Sequence, residues 1–172
     1  LMASYKTLNK DNSKLNCRIK GFSNYSPKRI ILDNKLQTKV NSHVVKTANK
    51  NNTIIFYNQA NKSKILEFKK KKIQLIKFKV NKQGKFDVKS ILRKLYRYNC
   101  RNLLIEGGNN LTNYLLKNRI FNKFYLYKSP KNLSKETEYL KFDSLDVLKK
   151  NYRNRFNLNL SLGKDKITLY KN

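Results

Sequence analysis

The segment Asn102–Leu111, NLLIEGGNNL, carries the reading of the fold. A continuous apolar run ends on a carboxylate and a glycine pair, and two asparagines then stand where a helix begins. Continuous apolar runs of strand length belong to strands buried on both faces. Residues 102–108 therefore predict a parallel strand, followed by a helix capped by Asn109 or Asn110 and carrying Leu111, Tyr114 and Leu115. Upstream, Val88, Ile91, Leu92, Leu95 and Tyr96 fall at i, i+3, i+4, i+7 and i+8, one apolar stripe on an amphipathic helix. Asp87 is placed to cap that helix and Asn99 to end it in a left-handed conformation. Gln83-Gly84 reads as a turn. Further strands are predicted at RIILDN (29–34), TIIFYN (53–58) and IQLIKFKV (73–80), and 1–4 reads as the end of another. A short helix within 62–72 is expected to bury Ile65, Leu66 and Phe68.

Downstream, KFYLYKSP (123–130) predicts another strand, and 142–148 a short strand-and-turn or a helix. FNLNLSL (156–162) alternates apolar and polar residues and, with KITLY (166–170), predicts an antiparallel pair joined through Gly163. The alternation of strands and helices gives an α/β class: a mixed sheet, mostly parallel, with a C-terminal antiparallel hairpin and helices on both faces. No internal repeat or linker interrupts the 172 residues, which predicts one domain over 1–172.

The net charge of +30, from 40 Lys+Arg against 10 Asp+Glu, raises a nucleic-acid reading. The lysines are spread through nearly every segment, however, and only Lys69–Lys72 form an uninterrupted run. Heavy use of Lys, Asn, Ile, Tyr and Phe together is what an A+T-biased coding sequence yields, so nucleic acid is not the expected functional partner. Cys17 and Cys100 make no metal-ligand spacing, and with a single His no local metal motif is present. His43 carries no motif of its own. No apolar run approaches membrane-span length and no signal-peptide pattern opens the chain, so a cytoplasmic protein is expected.

Two places carry candidate chemistry. Glu106-Gly107-Gly108 lies at the carboxyl end of a predicted strand, where open α/β sheets bind ligands. On the residues alone two readings stand: a cradle for a dinucleotide pyrophosphate at the following helix, or a tight strand-to-helix turn, since no full G-x-G-x-x-G is present. The second place is the polar stretch from Thr7 and Asp11 to Leu15 and Arg18, whose guanidinium suits a phosphate. Its alternative is an ordinary surface loop.

Together the two places bring out a family resemblance. The series TLNKDNSKLNCR (7–18), RIILD (29–33), NLLIEGGNNL (102–111) and KSPKNL (128–133) resembles the reductase domain of bifunctional riboflavin-biosynthesis deaminase/reductases. That resemblance implies a dihydrofolate-reductase-like fold. It also implies NADPH-dependent reduction of 5-amino-6-(5-phosphoribosylamino)uracil to its ribitylamino product, commonly by a homodimer.

Carried over position by position, Thr7, Asp11 and Asn34 would contact NADPH. Gly108, Asn109, Asn110, Leu111, Thr112, Asn113 and Tyr114 would hold its phosphates. Leu15 and Arg18 would contact the phosphorylated pyrimidine substrate, with Glu106 facing it as the catalytic candidate. The sequence departs from the family in having Asp11-Asn12-Ser13 where D-D-P is usual. The family's opening S-x-D-G-K-like strand and its zinc-binding deaminase domain have no match here, so a fragment is expected. Two rival readings are a basic nucleic-acid-binding protein and another NADPH reductase of this fold acting on a pterin-like substrate.

Overall fold

Rows of branched aliphatic residues build the core of the first unit. Ala3, Ile31, Ile55 and Leu75 stand in register across neighbouring strands, with Met2, Ile30 and Ile54 forming the row on the opposite face. In the computed structural model, which describes residues 1–130, 144–159 and 163–172, the chain divides into two compact units, Leu1–Gly107 and Gly108–Asn172.

The first unit alternates strand and helix: β1 (Met2–Ser4), α1 (Tyr5–Asp11), β2 (Arg29–Leu32), α2 (His43–Lys46), β3 (Thr53–Tyr57), α3 (Lys62–Lys70), β4 (Gln74–Lys77), α4 (Val88–Arg97) and β5 (Ile105–Glu106). Every pairing among these strands is parallel, and the order is β4-β3-β2-β1-β5. Both faces are covered, as Met2, Ala3, Ile30, Ile31, Ile54 and Ile55 are all buried. On one face Leu8 of α1, Val44 and Val45 of α2 and Phe68 of α3 join Ala3, Ile31 and Ile55 in one apolar cluster. Burial of each such large side chain stabilises the fold by about 1.5–3 kcal/mol. On the other face Phe56 meets Phe78 edge-on at 5.6 Å, and Phe78 meets Phe86, just before α4, at 6.5 Å.

The helix ends follow local chemistry. Ser4, Asn61 and Asp87 cap α1, α3 and α4 by accepting the amides of Thr7, Lys64 and Lys89. At the end of α4, Asn99 is left-handed (φ 64°), with Asn99 N–H donating to Tyr96 O and Cys100 N–H to Leu95 O. This is the Schellman arrangement, and Lys72 (φ 60°) ends α3 the same way. Lys69 and Lys70 fill the last turn of α3, where cations offset the helix dipole.

The second unit holds α5 (Asn109–Lys117), β6 (Lys123–Lys128), α6 (Leu145–Asn151), β7 (Arg155–Leu158) and β8 (Lys166–Lys171). Its three-stranded sheet runs β6-β8-β7, antiparallel throughout. Leu116, Leu148, Tyr152 and Tyr170 form its core, with Phe121 and Phe124 against them. Tyr152 Oη donates to Leu116 O at 2.6 Å. Among the described residues no helix is long and apolar enough to cross a membrane.

The fold class expected from the sequence is the one observed, with differences in detail. Lys123–Lys128 lies in the antiparallel sheet rather than extending the parallel one. The paired part of 102–108 is only Ile105–Glu106, and Leu104 is 59% exposed. Helix α5 is capped by Gly108 rather than by Asn109 or Asn110, because Gly108 is the last extended residue. Two residues expected to be inward point outward. Leu66 is exposed on α3, and Tyr96 is exposed beneath the Arg101 guanidinium, 4.3 Å from its ring centroid. Residues 131–133, 142–143 and 160–162 of the sequence expectations lie outside the described residues.

Candidate functional site

The strand order places a topological switch point between β1 and β5: β2, β3 and β4 follow on one side of β1, and β5 lies on the other. Open parallel sheets bind ligands at the carboxyl ends of the strands flanking such a point. Ala3 of β1 is in register with Glu106 of β5. Ser4, opening α1, and the Glu106-Gly107 stretch therefore end neighbouring strands at one edge. Glu106 is exposed there. Along the same edge follow Asp33-Asn34 after β2 and Asn58-Gln59 after β3.

Asn34 ties this edge together. Its backbone carbonyl accepts the amides of Asn58 and Gln59 at 2.9 and 3.0 Å. Its side-chain amide donates to Gly84 O at 2.9 Å, fastening the loop between β4 and α4. Its Oδ1 is buried without a hydrogen-bond partner, a condition costly enough that buried acceptors nearly always have one. A ligand amide or hydroxyl at the edge would satisfy it. The neighbouring Asp33 carboxylate is fully buried and accepts Gln37 N, Thr38 N and Thr38 Oγ1 at 2.6–2.8 Å. Its bonds set the course of the chain after β2, a structural role.

Thr7 and Asp11 sit one turn apart on α1, as the i, i+4 spacing requires. Thr7 is engaged with the Ser4 cap, its Oγ1 3.2 Å from Ser4 Oγ, and Asp11 is exposed. Sequence reasoning passed over their neighbours. Asn9 Oδ1 accepts Lys39 N and its amide donates to Gln37 O, while Asn12 Oδ1 accepts His43 N at 2.8 Å. The motif's asparagines fasten α1 to the segment before α2, which leaves Thr7 and Asp11 on a different side. The only signal for this was the i, i+3 spacing of Asn9 and Asn12. Asn12 is also the left-handed C-cap of α1 (φ 46°), a conformation asparagine adopts at little cost, and this accounts for Asn12 within the departure from D-D-P.

Leu15, an expected substrate contact, has its side chain in the apolar cluster and a left-handed backbone (φ 49°). Arg18 is exposed. In the second unit, Gly108 opens α5 with an extended backbone (φ −68°, ψ 173°) and brings no side chain to cap it. Leu111, Thr112, Asn113 and Tyr114 on that helix are half-buried, Asn110 is exposed, and Asn113 Oδ1 is buried without a hydrogen-bond partner. Two of the expected cofactor contacts, Asn34 and Asn113, thus each carry an unsatisfied buried acceptor.

Comparison with known proteins identifies the family. The family model described as the RibD C-terminal domain matches residues 1–164. The chain is 29% identical over 131 residues to the riboflavin biosynthesis protein RibD of Actinobacillus pleuropneumoniae, covering 76% of this chain and 34% of that protein. It is 27% identical over 151 residues to the 5-amino-6-(5-phosphoribosylamino)uracil reductase of Buchnera aphidicola, covering 81% of this chain and 70% of that one. Among solved structures, Acinetobacter baumannii RibD superposes with a TM-score of 0.72 at 16% identity, over 99% of this chain and 46% of that chain. A pyrimidine reductase-like protein of Corynebacterium diphtheriae also gives 0.72, at 17% identity, over 99% of this chain and 74% of that chain. The chain thus spans about a third of the length of the Actinobacillus RibD, and the structural likenesses establish the fold alone.

Proposed function

The chain belongs to the RibD C-terminal domain family, and on that footing we propose that it reduces 5-amino-6-(5-phosphoribosylamino)uracil to 5-amino-6-(5-phosphoribitylamino)uracil with NADPH. The observation that carries this reading is the register of Ala3 with Glu106 at the switch point, which sets an exposed carboxylate at the ligand-binding edge of a parallel sheet. When bound, the nicotinamide supplies the hydride for the ribose C1′. Glu106 orients the ribose through hydrogen bonds from its hydroxyls to the carboxylate oxygens and assists proton transfer there. Arg18 grips the substrate phosphate with its two-pronged guanidinium, and Leu15, buried in the apolar cluster, anchors the stretch that carries it.

Thr7, Asp11 and Asn34 in the first unit are proposed to contact NADPH, with the Asn34 Oδ1 acceptor satisfied in the process. In the second unit, residues 108–114 are proposed to do so through the uncapped start of α5. We further propose that the two units act as one reductase domain, in a cytoplasmic homodimer.

The test is consumption of NADPH by the purified chain in the presence of the phosphoribosylaminouracil, with NADH in a parallel arm. Glu106→Gln is expected to lower turnover by about 10²–10⁴-fold, the range for a lost acid–base group. Arg18→Ala is expected to raise KM with smaller loss of turnover. Gly108→Asp should abolish nucleotide binding in a fluorescence titration. Failure of the wild-type chain to bind either nucleotide refutes the reading.

A further inference from the structure

The amino edge of the parallel sheet, at the opposite end of the strands from Glu106, holds an open cleft of about 520 Å³ lined by Ser26, Lys28, Asn49, Lys50, Asn51, Asn52 and Lys72. In a parallel sheet the residues preceding every strand gather at one edge. Lys28 immediately precedes β2, Lys50 stands three residues before β3 and Lys72 two before β4. Three lysines remote in sequence thus converge on one cleft, and among the described residues no carboxylate lines it.

The cleft is also shaped. Asn49 Oδ1 accepts Asn51 N, and Asn52 Oδ1 accepts Asn49 N, each at 2.9 Å, closing a turn that presents Lys50. Lys72 is held at the left-handed end of α3, where Lys72 N–H donates to Lys69 O at 2.8 Å. Ser26 Oγ accepts Cys17 N at 3.2 Å and donates to Ser23 O.

Next to Lys28 in the chain lies Arg29, 4% exposed. Its guanidinium donates to Thr47 Oγ1, Thr47 O, Asn52 Oδ1 and Thr53 Oγ1, all neutral acceptors. Asn52, which takes one of these bonds, also lines the cleft. A buried cation bonded only to neutral groups adds its field to that of the three lysines, and a concave low-dielectric wall focuses such a field on its opening.

We propose that this cleft binds a linear oligophosphate, a di- or triphosphate group. Three lysines lining one cleft, with a buried guanidinium bonded to Asn52 of its wall, match an anion of three or four charges, whereas a carboxylate or a single orthophosphate would leave most of the field unanswered. The carboxamides of Asn49 and Asn51 add donors for bridging oxygens. Free inorganic polyphosphate and a nucleoside triphosphate share this chemistry, and the cleft volume admits either.

The test is isothermal titration of the full chain, at physiological ionic strength, with tripolyphosphate, ATP and orthophosphate. Saturable one-site binding of tripolyphosphate, tighter than that of orthophosphate, is expected. ATP binding at least as tightly identifies a nucleotide as the source, and tripolyphosphate alone identifies the inorganic chain. The pair Lys50→Gln/Lys72→Gln is expected to weaken binding by about tenfold or more, as loss of two ammonium contacts to phosphate implies. The pair Lys89→Gln/Lys166→Gln, with the same loss of net charge at exposed positions elsewhere, is expected to leave it within about twofold. Melting curves for both pairs establish that each is folded. Equal weakening by the two pairs reduces the effect to the general field of a basic chain and overturns the proposal, as does the absence of saturable binding by the wild-type chain.

Discussion

Replacement of Arg29 gives a quantitative check on how the amino edge is held together. The side chain makes five hydrogen bonds, from Nε and Nη2 to Thr53 Oγ1, from Nη1 to Thr47 Oγ1, and from Nη2 to Thr47 O and Asn52 Oδ1. Burial lowers its pKa from the ordinary arginine value, yet an arginine remains charged throughout the working range. Each oxygen it serves has another partner: Thr47 O accepts Asn52 Nδ2, Asn52 Oδ1 accepts Asn49 N, Thr47 Oγ1 donates to His43 O, and Thr53 Oγ1 donates to Asn52 Oδ1.

Loss of the guanidinium therefore strands no acceptor completely, and each bond falls at the low end of the range, about 0.5–1 kcal/mol. Relief from burying a charge offsets part of the total. Arg29→Met is accordingly expected to cost about 3 kcal/mol, a fall in Tm of about 6–12 °C for a chain of this size. Arg29→Lys should be no better than Met. It keeps a buried charge while replacing a planar fork with a single ammonium that cannot span Thr47, Asn52 and Thr53. Urea unfolding and thermal melting, each followed by circular dichroism and run with the three proteins side by side, read both quantities. A lysine variant as stable as wild type would refute the fork argument, and a methionine variant with undiminished stability would refute the energetic one.

Three further outcomes follow from single positions. Asp87→Ala should cost about 1 kcal/mol at neutral pH by removing the α4 cap. The Ser90 hydroxyl, first among its causes, holds the Asp87 carboxyl below its usual value, so this stability is present above about pH 4 and is lost as pH falls through the lowered folded value. Denaturation at pH 7 and at pH 3 should show the gap between the two proteins closing. Tyr152→Phe should cost about 1–2 kcal/mol, because the buried Leu116 carbonyl loses its 2.6 Å donor, and thermal melting measures it. Gly84→Ala should cost about 1–2 kcal/mol because φ is 71° there. A new Cβ would meet Asn34 Nδ2 only at 3.5 Å, so a much larger loss of melting temperature would mean that the contact, rather than the backbone, sets the cost.

The parallel sheet was legible because its strands are buried on both faces and so read as continuous apolar runs. RIIL and TIIFY announce themselves in this way. The ends of α4 were legible because Asp87 and Asn99 act through their own local hydrogen bonds. Where sequence reasoning missed, tertiary context had overridden a local pattern. Tyr96 has the right period for the core but stands outside, beneath Arg101. KFYLYK looks like any buried strand, and only its partner β8, more than 35 residues later, makes it antiparallel. At the candidate site, the position of Glu106 followed from its place at a strand end. The roles of Asn9, Asn12 and Asn34 did not, because each acts on a segment at least 24 residues away.

The place of β1 between β2 and β5 has a consequence for how the chain is assembled during synthesis. Met2 pairs with Ile30 on one side and with Ile105 on the other. Closing the second loop costs about 1 kcal/mol more in chain entropy than closing the first. Strands β1 to β4 can associate as each leaves the ribosome, every new strand docking beside the one before it. Among the described residues the flank of β1 that β5 takes has no other strand to pair with, and an unpaired flank is a template for stray strands. Ile105 and Glu106 then cover that flank of β1, and the short β5 takes its place as an outer strand opposite β4, so the residue nearest the proposed chemistry also lies in the strand that protects β1.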